Sequence, residues 1–101
     1  MSDQVRVEYE QMTNVASRFA KQADAVQHLL QVLVGKLDPL RNGSFKGEAA
    51  TSFYAEMDNV LLPAVQKLQA LLTESSATTK EAAQIFRQAD QEASSRFKNY
   101  A

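Results

Sequence analysis

His28 is the one histidine in the chain and there is no cysteine, so the side chains that most often act as general base, thiol nucleophile or transition-metal ligand are nearly missing. With no second histidine or cysteine to complete a site, His28 reads as a solvated residue. Serine and threonine are plentiful, but none has a base at a spacing that would activate it. Neither phosphate-cradling glycine pattern, G-x-x-x-x-G-K-[ST] or G-x-G-x-x-G, occurs, and no E-x-x-H pair points to a di-iron bundle. The expectation is a protein that is not an enzyme and needs no metal or cofactor. Its work would be done by surfaces.

Charge narrows the partners. Lys and Arg total 11 against 12 Asp and Glu, spread along the chain, so there is no basic field to neutralise a phosphate backbone and nucleic acid is not an expected partner. No apolar run approaches the roughly 18 residues of a membrane span, so stable membrane insertion is not expected. The opening MSDQVRVEYEQM carries acids where a signal peptide needs a basic start and an apolar core. Export, if it occurs, is expected by a route without a cleaved leader. A chain of 101 residues is one domain, residues 1–101, and exposes a large share of its surface unless it associates.

The elements that must carry those surfaces are legible in the hydrophobic spacing. Val5, Tyr9, Met12, Ala16, Phe19, Ala23, Val26, Leu30, Leu33 and Leu37 alternate at steps of 4 and 3, the a/d seam of a long helix expected over about residues 4–38. Ser2 or Asp3 is placed to cap it. Asp38-Pro39 and Asn42-Gly43 are turn signals, predicting a turn over about 39–46. A second alternation of 4 and 3 runs through Ala50, Tyr54, Met57, Leu61, Ala64, Leu68, Leu71, Ser75, Thr78, Ala82, Ile85 and Ala89, predicting a helix over about 47–97. Pro63 should kink it near 59–63 while the seam keeps its phase. Ser75 and Thr78 at seam positions suggest that the second helix outruns the first and projects.

The fold expected is therefore all-α, an antiparallel two-helix hairpin. Its faces are wider than a seam. Val15 and Leu29 at g positions, Ala25 and Val32 at c positions, and Val65, Leu72, Phe86, Ala93 and Tyr100 at e positions broaden the apolar stripes. That breadth is typical of four-helix bundles, so dimerisation into one is predicted, with Val15, Leu29, Val32, Val65 and Leu72 at the dimer interface. In the turn, Gly43 is expected to adopt a positive φ and Gly47 to allow close backbone approach, with Phe45 folded back as a plug.

SFKGEAATSF, with Phe45 and Gly47, resembles the turn of the hundred-residue WXG-type family, ESAT-like substrates of type VII (ESX) secretion in which Trp-x-Gly joins two long helices. Phe45 stands where the family usually has Trp. Phe86, Asp90, Ala93 and Phe97, at steps of 4, 3 and 4, share one helical face off the predicted seam. By resemblance they form a C-terminal export signal read by the secretion ATPase. The resemblance implies a small non-enzymatic protein, folded in the bacterial cytoplasm and exported as a folded dimer. A homodimer is favoured; a heterodimer with a second WXG-type protein is the variant. The alternative functions are a cytosolic adaptor that delivers a larger type VII effector, and a membrane-active helical protein.

Overall fold

The computed structural model describes residues 2–100, with the side chain of Tyr100 outside the description. The order of elements is α1 (Asp3–Asn42), α2 (Glu48–Glu56), a π-helical segment (Met57–Leu61) and α3 (Leu62–Tyr100). No strand occurs among the described residues. Contacts gather in two compact units, Met1–Ala20 with Thr73–Ala101 and Lys21–Leu72. Each pairs a stretch of α1 with a stretch of the second helical arm running in the opposite sense, the topology of a helical hairpin.

At its start α1 is capped by Ser2, whose Oγ accepts the Val5 N–H at 3.2 Å. All ten seam residues from Val5 to Leu37 are buried or half-buried. The C-terminus departs from expectation: the helix continues through Pro39 to Asn42. Pro39 forfeits the bond to the carbonyl of residue 35, which is a glycine. Two residues later Arg41 makes a bidentate ion pair with Asp58, one arm Nη1 to Oδ2 at 2.9 Å. That long-range anchor holds the last turn after the proline's bond is lost.

Gly43 and Gly47 divide the turn between them in the reverse of the expected roles. A Cβ on Gly43 would lie 2.7 Å from the Pro39 carbonyl oxygen, so Gly43 is the site of close approach. Gly47 is the positive-φ residue, at φ 114° and ψ 179°, a region open essentially to glycine alone. Its carbonyl accepts both the Thr51 N–H at 2.9 Å and the Thr51 hydroxyl at 3.0 Å, starting α2.

The second arm carries the main correction. Pro63 has no N–H for an i→i−4 bond, and the ladder before it relaxes: the Leu62 N–H donates to the Met57 carbonyl, five residues back. One residue is thereby inserted into the turn, and every later side chain rotates by about 100° relative to a continuous α-helix. Before the π turn the inward residues are Ala50, Tyr54 and Met57, as the spacing implies. After it they are Leu62, Val65, Gln69 and Leu72 in one unit, and Ser76, Thr79, Ala83, Phe86 and Asp90 in the other. The predicted seam residues Leu61, Leu68, Leu71 and Ile85 are exposed instead, Leu71 at 53% and Ile85 at 58%.

The register shift also alters the reading of the Ser/Thr stretch. Ser76 is buried, and its hydroxyl donates to the Ala16 carbonyl at 2.7 Å. α1 and α3 are thus in contact there, with Ala16 and Ala83 fully buried. Small side chains let two backbones approach closely enough for a seryl hydroxyl to reach across. The absence of leucine at 75–79 marks tight packing and not separation.

Candidate interaction surfaces

The turn end is built around Phe45. Its ring meets Phe53 at 5.9 Å and Tyr54 at 5.8 Å, both edge to face, and Phe53 and Tyr54 are themselves 5.7 Å apart. The Tyr54 hydroxyl donates to the Phe45 carbonyl at 2.8 Å, fixing the loop to α2. Arg41 stacks over the Tyr54 ring at 4.7 Å while it holds Asp58. Hydrogen bonds donated to the Asp58 carboxylate raise the Arg41 pKa above its ordinary value. Phe45 keeps 41% of its surface in water. It is folded back against the exposed Phe53 and the half-buried, inward-facing Tyr54, covering the end of the hairpin only in part. Arg41, Tyr54 and Asp58 were not anticipated as partners of the turn. Their signal was the predicted end of helix one at residue 38, which hid Arg41 in a loop.

The tail stripe divides in two. Phe86 and Asp90 are half-buried on the face that α3 turns toward α1, while Ala93 is exposed and Phe97 is 78% exposed. The stripe expected to lie off the seam is therefore a continuation of the seam in its shifted register. Around it, Arg87 lies over the Tyr9 ring at 5.6 Å and Gln84 Nε2 donates to the Tyr9 hydroxyl at 3.4 Å. One Asp90 carboxylate oxygen is shut from solvent and has no hydrogen-bond partner among the described residues.

The five residues expected at a dimer interface also separate. Val15, Leu29 and Val32 are exposed on α1. Val65 and Leu72 are half-buried on the inward face of α3. Met12, Val15 and Thr79, with Glu8 and Gln11, line an open groove of about 270 Å³. Ala25 is exposed, as is His28, and no cluster of His, Asp and Glu able to hold a metal occurs among the described residues.

The length, the two helical arms and the F-x-G turn with its aromatic neighbours converge on one comparison. Residues 4–91 match the family described as WXG100, proteins of 100 residues with WXG. The chain belongs to the WXG100 family. The match takes in the turn, Phe86 and Asp90, and ends before Ala93 and Phe97. No curated protein and no solved structure matches the chain. WXG100 proteins are small, associated with type VII secretion, known as non-enzymatic, and typically dimeric. Among the described residues no helix is long and apolar enough to cross a membrane.

Proposed function

We propose that this WXG100 chain is exported as a folded helical-hairpin dimer by a type VII system, with Phe86, Asp90, Ala93 and Phe97 forming the export signal that the secretion ATPase reads. The family match over residues 4–91 carries the reading. Two features of the tail support it. Phe97 offers an aromatic ring at 78% exposure, and Asp90 holds a carboxylate oxygen without a partner among the described residues. The Phe97 ring is open to another protein, and Asp90 places a carboxylate on the same helical face.

The test separates recognition from folding. Truncation from residue 86 would remove Phe86 and Asp90 from the contacts of the first unit, so a lost signal and a lost fold would look alike. Phe97→Ala removes only exposed surface. It should abolish export by the type VII machine while the intracellular protein keeps its helicity and its solution mass. Normal export of that variant would remove Phe97 from the signal.

A further inference from the structure

Beyond the π turn the second arm carries two seams, one residue apart. The inner one, led by Leu62, faces α1, and the outer one, led by Leu61, keeps the phase of Ala50, Tyr54 and Met57. The two are nearly copies of each other. Leu61-Leu62 and Leu71-Leu72 in one unit, and Ser75-Ser76, Thr78-Thr79 and Ala82-Ala83 in the other, are identical pairs whose first member lies in the outer seam and second in the inner. Val65 and Phe86 of the inner seam outsize Ala64 and Ile85, while Leu68 and Ala89 of the outer seam are more apolar than Gln69 and Asp90. These differences offset, so the two seams are close equivalents as surfaces for α1. Pro63 is what separates them. In a continuous α-helix its ring meets the carbonyl of Asn59, and the π turn relieves that clash.

We infer that α3 has a second register against α1, reached when the π turn at Met57–Leu61 closes to α, and that this register brings Phe86 and Asp90 out of the seam. The change is a screw of one residue, about 100° and 1.5 Å. Each residue then takes the place that its successor holds at rest. Leu61 replaces Leu62, and Ser75 brings a hydroxyl to the Ala16 carbonyl where Ser76 donates at 2.7 Å in the resting register. Phe86 and Asp90, half-buried at rest, take the places of Arg87 and Gln91, both exposed. There they join Ala93 and Phe97 on one open face. A partner that needs all four residues binds only the second register and so draws α3 into it. That use of the switch rests on the export reading above; the register change itself rests on the paired seams and the proline.

Two variants without the proline separate the registers. Pro63→Ala restores the missing N–H and removes the clash, so the turn closes and the outer seam packs. Removing Asn59 together with Pro63→Ala keeps the inner seam packed in a continuous helix. Each variant of this cysteine-free chain receives Ala16→Cys with either Ser75→Cys or Ser76→Cys, and oxidation is read on a non-reducing gel. Pro63→Ala should reverse the wild-type preference, closing the pair 16 and 75 in place of 16 and 76, and removal of Asn59 should restore it. A 16–76 crosslink still favoured in Pro63→Ala would overturn the second register. Export by the type VII machine is then measured on both variants without the cysteines. Pro63→Ala should be exported, whereas the variant that also lacks Asn59 should stay in the cell, because Phe86 and Asp90 remain on the seam. Equal export of the two would overturn the link between register and signal while the registers stand. Failure of the export reading itself is seen separately, as normal export of Phe97→Ala.

Discussion

Deleting one residue from a long helix ordinarily rotates everything beyond it by about 100° and ruins the packing. The π turn predicts one place where a deletion should be tolerated. Inward residues Met57 and Leu62 are five apart, and every later inward step is 3 or 4. Removing Asn59, with Pro63→Ala to restore the missing donor, makes that step four. Leu62, Val65, Leu72, Ser76, Ala83 and Phe86 then keep their faces in a continuous α-helix. A proline inside a helix costs about 3 kcal/mol relative to alanine, part of which the π turn already relieves, so the variant should gain about 1–2 kcal/mol. In a chain of this size that raises Tm by roughly 5–15 °C. The control deletes Gln66, seven residues further on. There the inward positions would pass to Ala70, Thr73, Ala77, Lys80, Gln84 and Arg87. Replacing Leu72, Ala83 and Phe86 at inward positions by Thr73, Gln84 and Arg87 forfeits their apolar contacts and costs several kcal/mol, a large part of what holds a small domain together. Thermal unfolding followed by circular dichroism at 222 nm, a wavelength chosen for helix content, distinguishes them. The reasoning is refuted if the two deletions destabilise alike.

Two further substitutions test the local geometry. Cysteines placed as Ala16→Cys with Ser76→Cys should oxidise to an intramolecular disulfide, because the Ser76 hydroxyl reaches the Ala16 carbonyl at 2.7 Å; the pair Ala16→Cys with Ser75→Cys should not, and a non-reducing gel that showed the reverse would restore the unshifted seam. Gly47→Ala should cost about 1–3 kcal/mol through its φ of 114° alone, since nothing lies within 4 Å of the added carbon. Gly43→Ala should destabilise by a different cause, the 2.7 Å contact with the Pro39 carbonyl. Denaturant unfolding measures both, and Asn in place of Gly47 should cost as much as Ala, because ψ 179° lies outside the left-handed helical region that Asn tolerates.

What the sequence revealed and concealed follows from where each contact originates. The seam of α1 was readable because one spacing of 4 and 3 runs unbroken from Val5 to Leu37 and nothing interrupts the helix that carries it. The end of α1 was not, because Asp38-Pro39 is a local stop signal overruled by a distant ion pair between Arg41 and Asp58. The glycines were recognisable as the turn, but their division of labour depends on where the Pro39 carbonyl lies, which no local pattern reports.

The tail stripe and the predicted interface positions Val65 and Leu72 share a single cause of misreading, and that cause shows how this chain differs from a simple coiled coil. Leu61-Leu62 and Leu71-Leu72 are adjacent pairs, so two seams one residue apart both carry leucines, and periodicity favours the outer one because the inner one includes Gln69 and Asp90. Pro63 chooses. It sits directly after the first pair, and the turn that accommodates it uses up the residue by which the two seams differ. The trace of this in the sequence was the conjunction of a proline with leucine doublets. Phe86 and Asp90 follow the inner seam, so residues proposed as the export signal also help hold the hairpin together, while Phe97 stands clear of it. Export defects at 86 or 90 will therefore mix folding with recognition, and Phe97 is the position at which recognition is tested by itself.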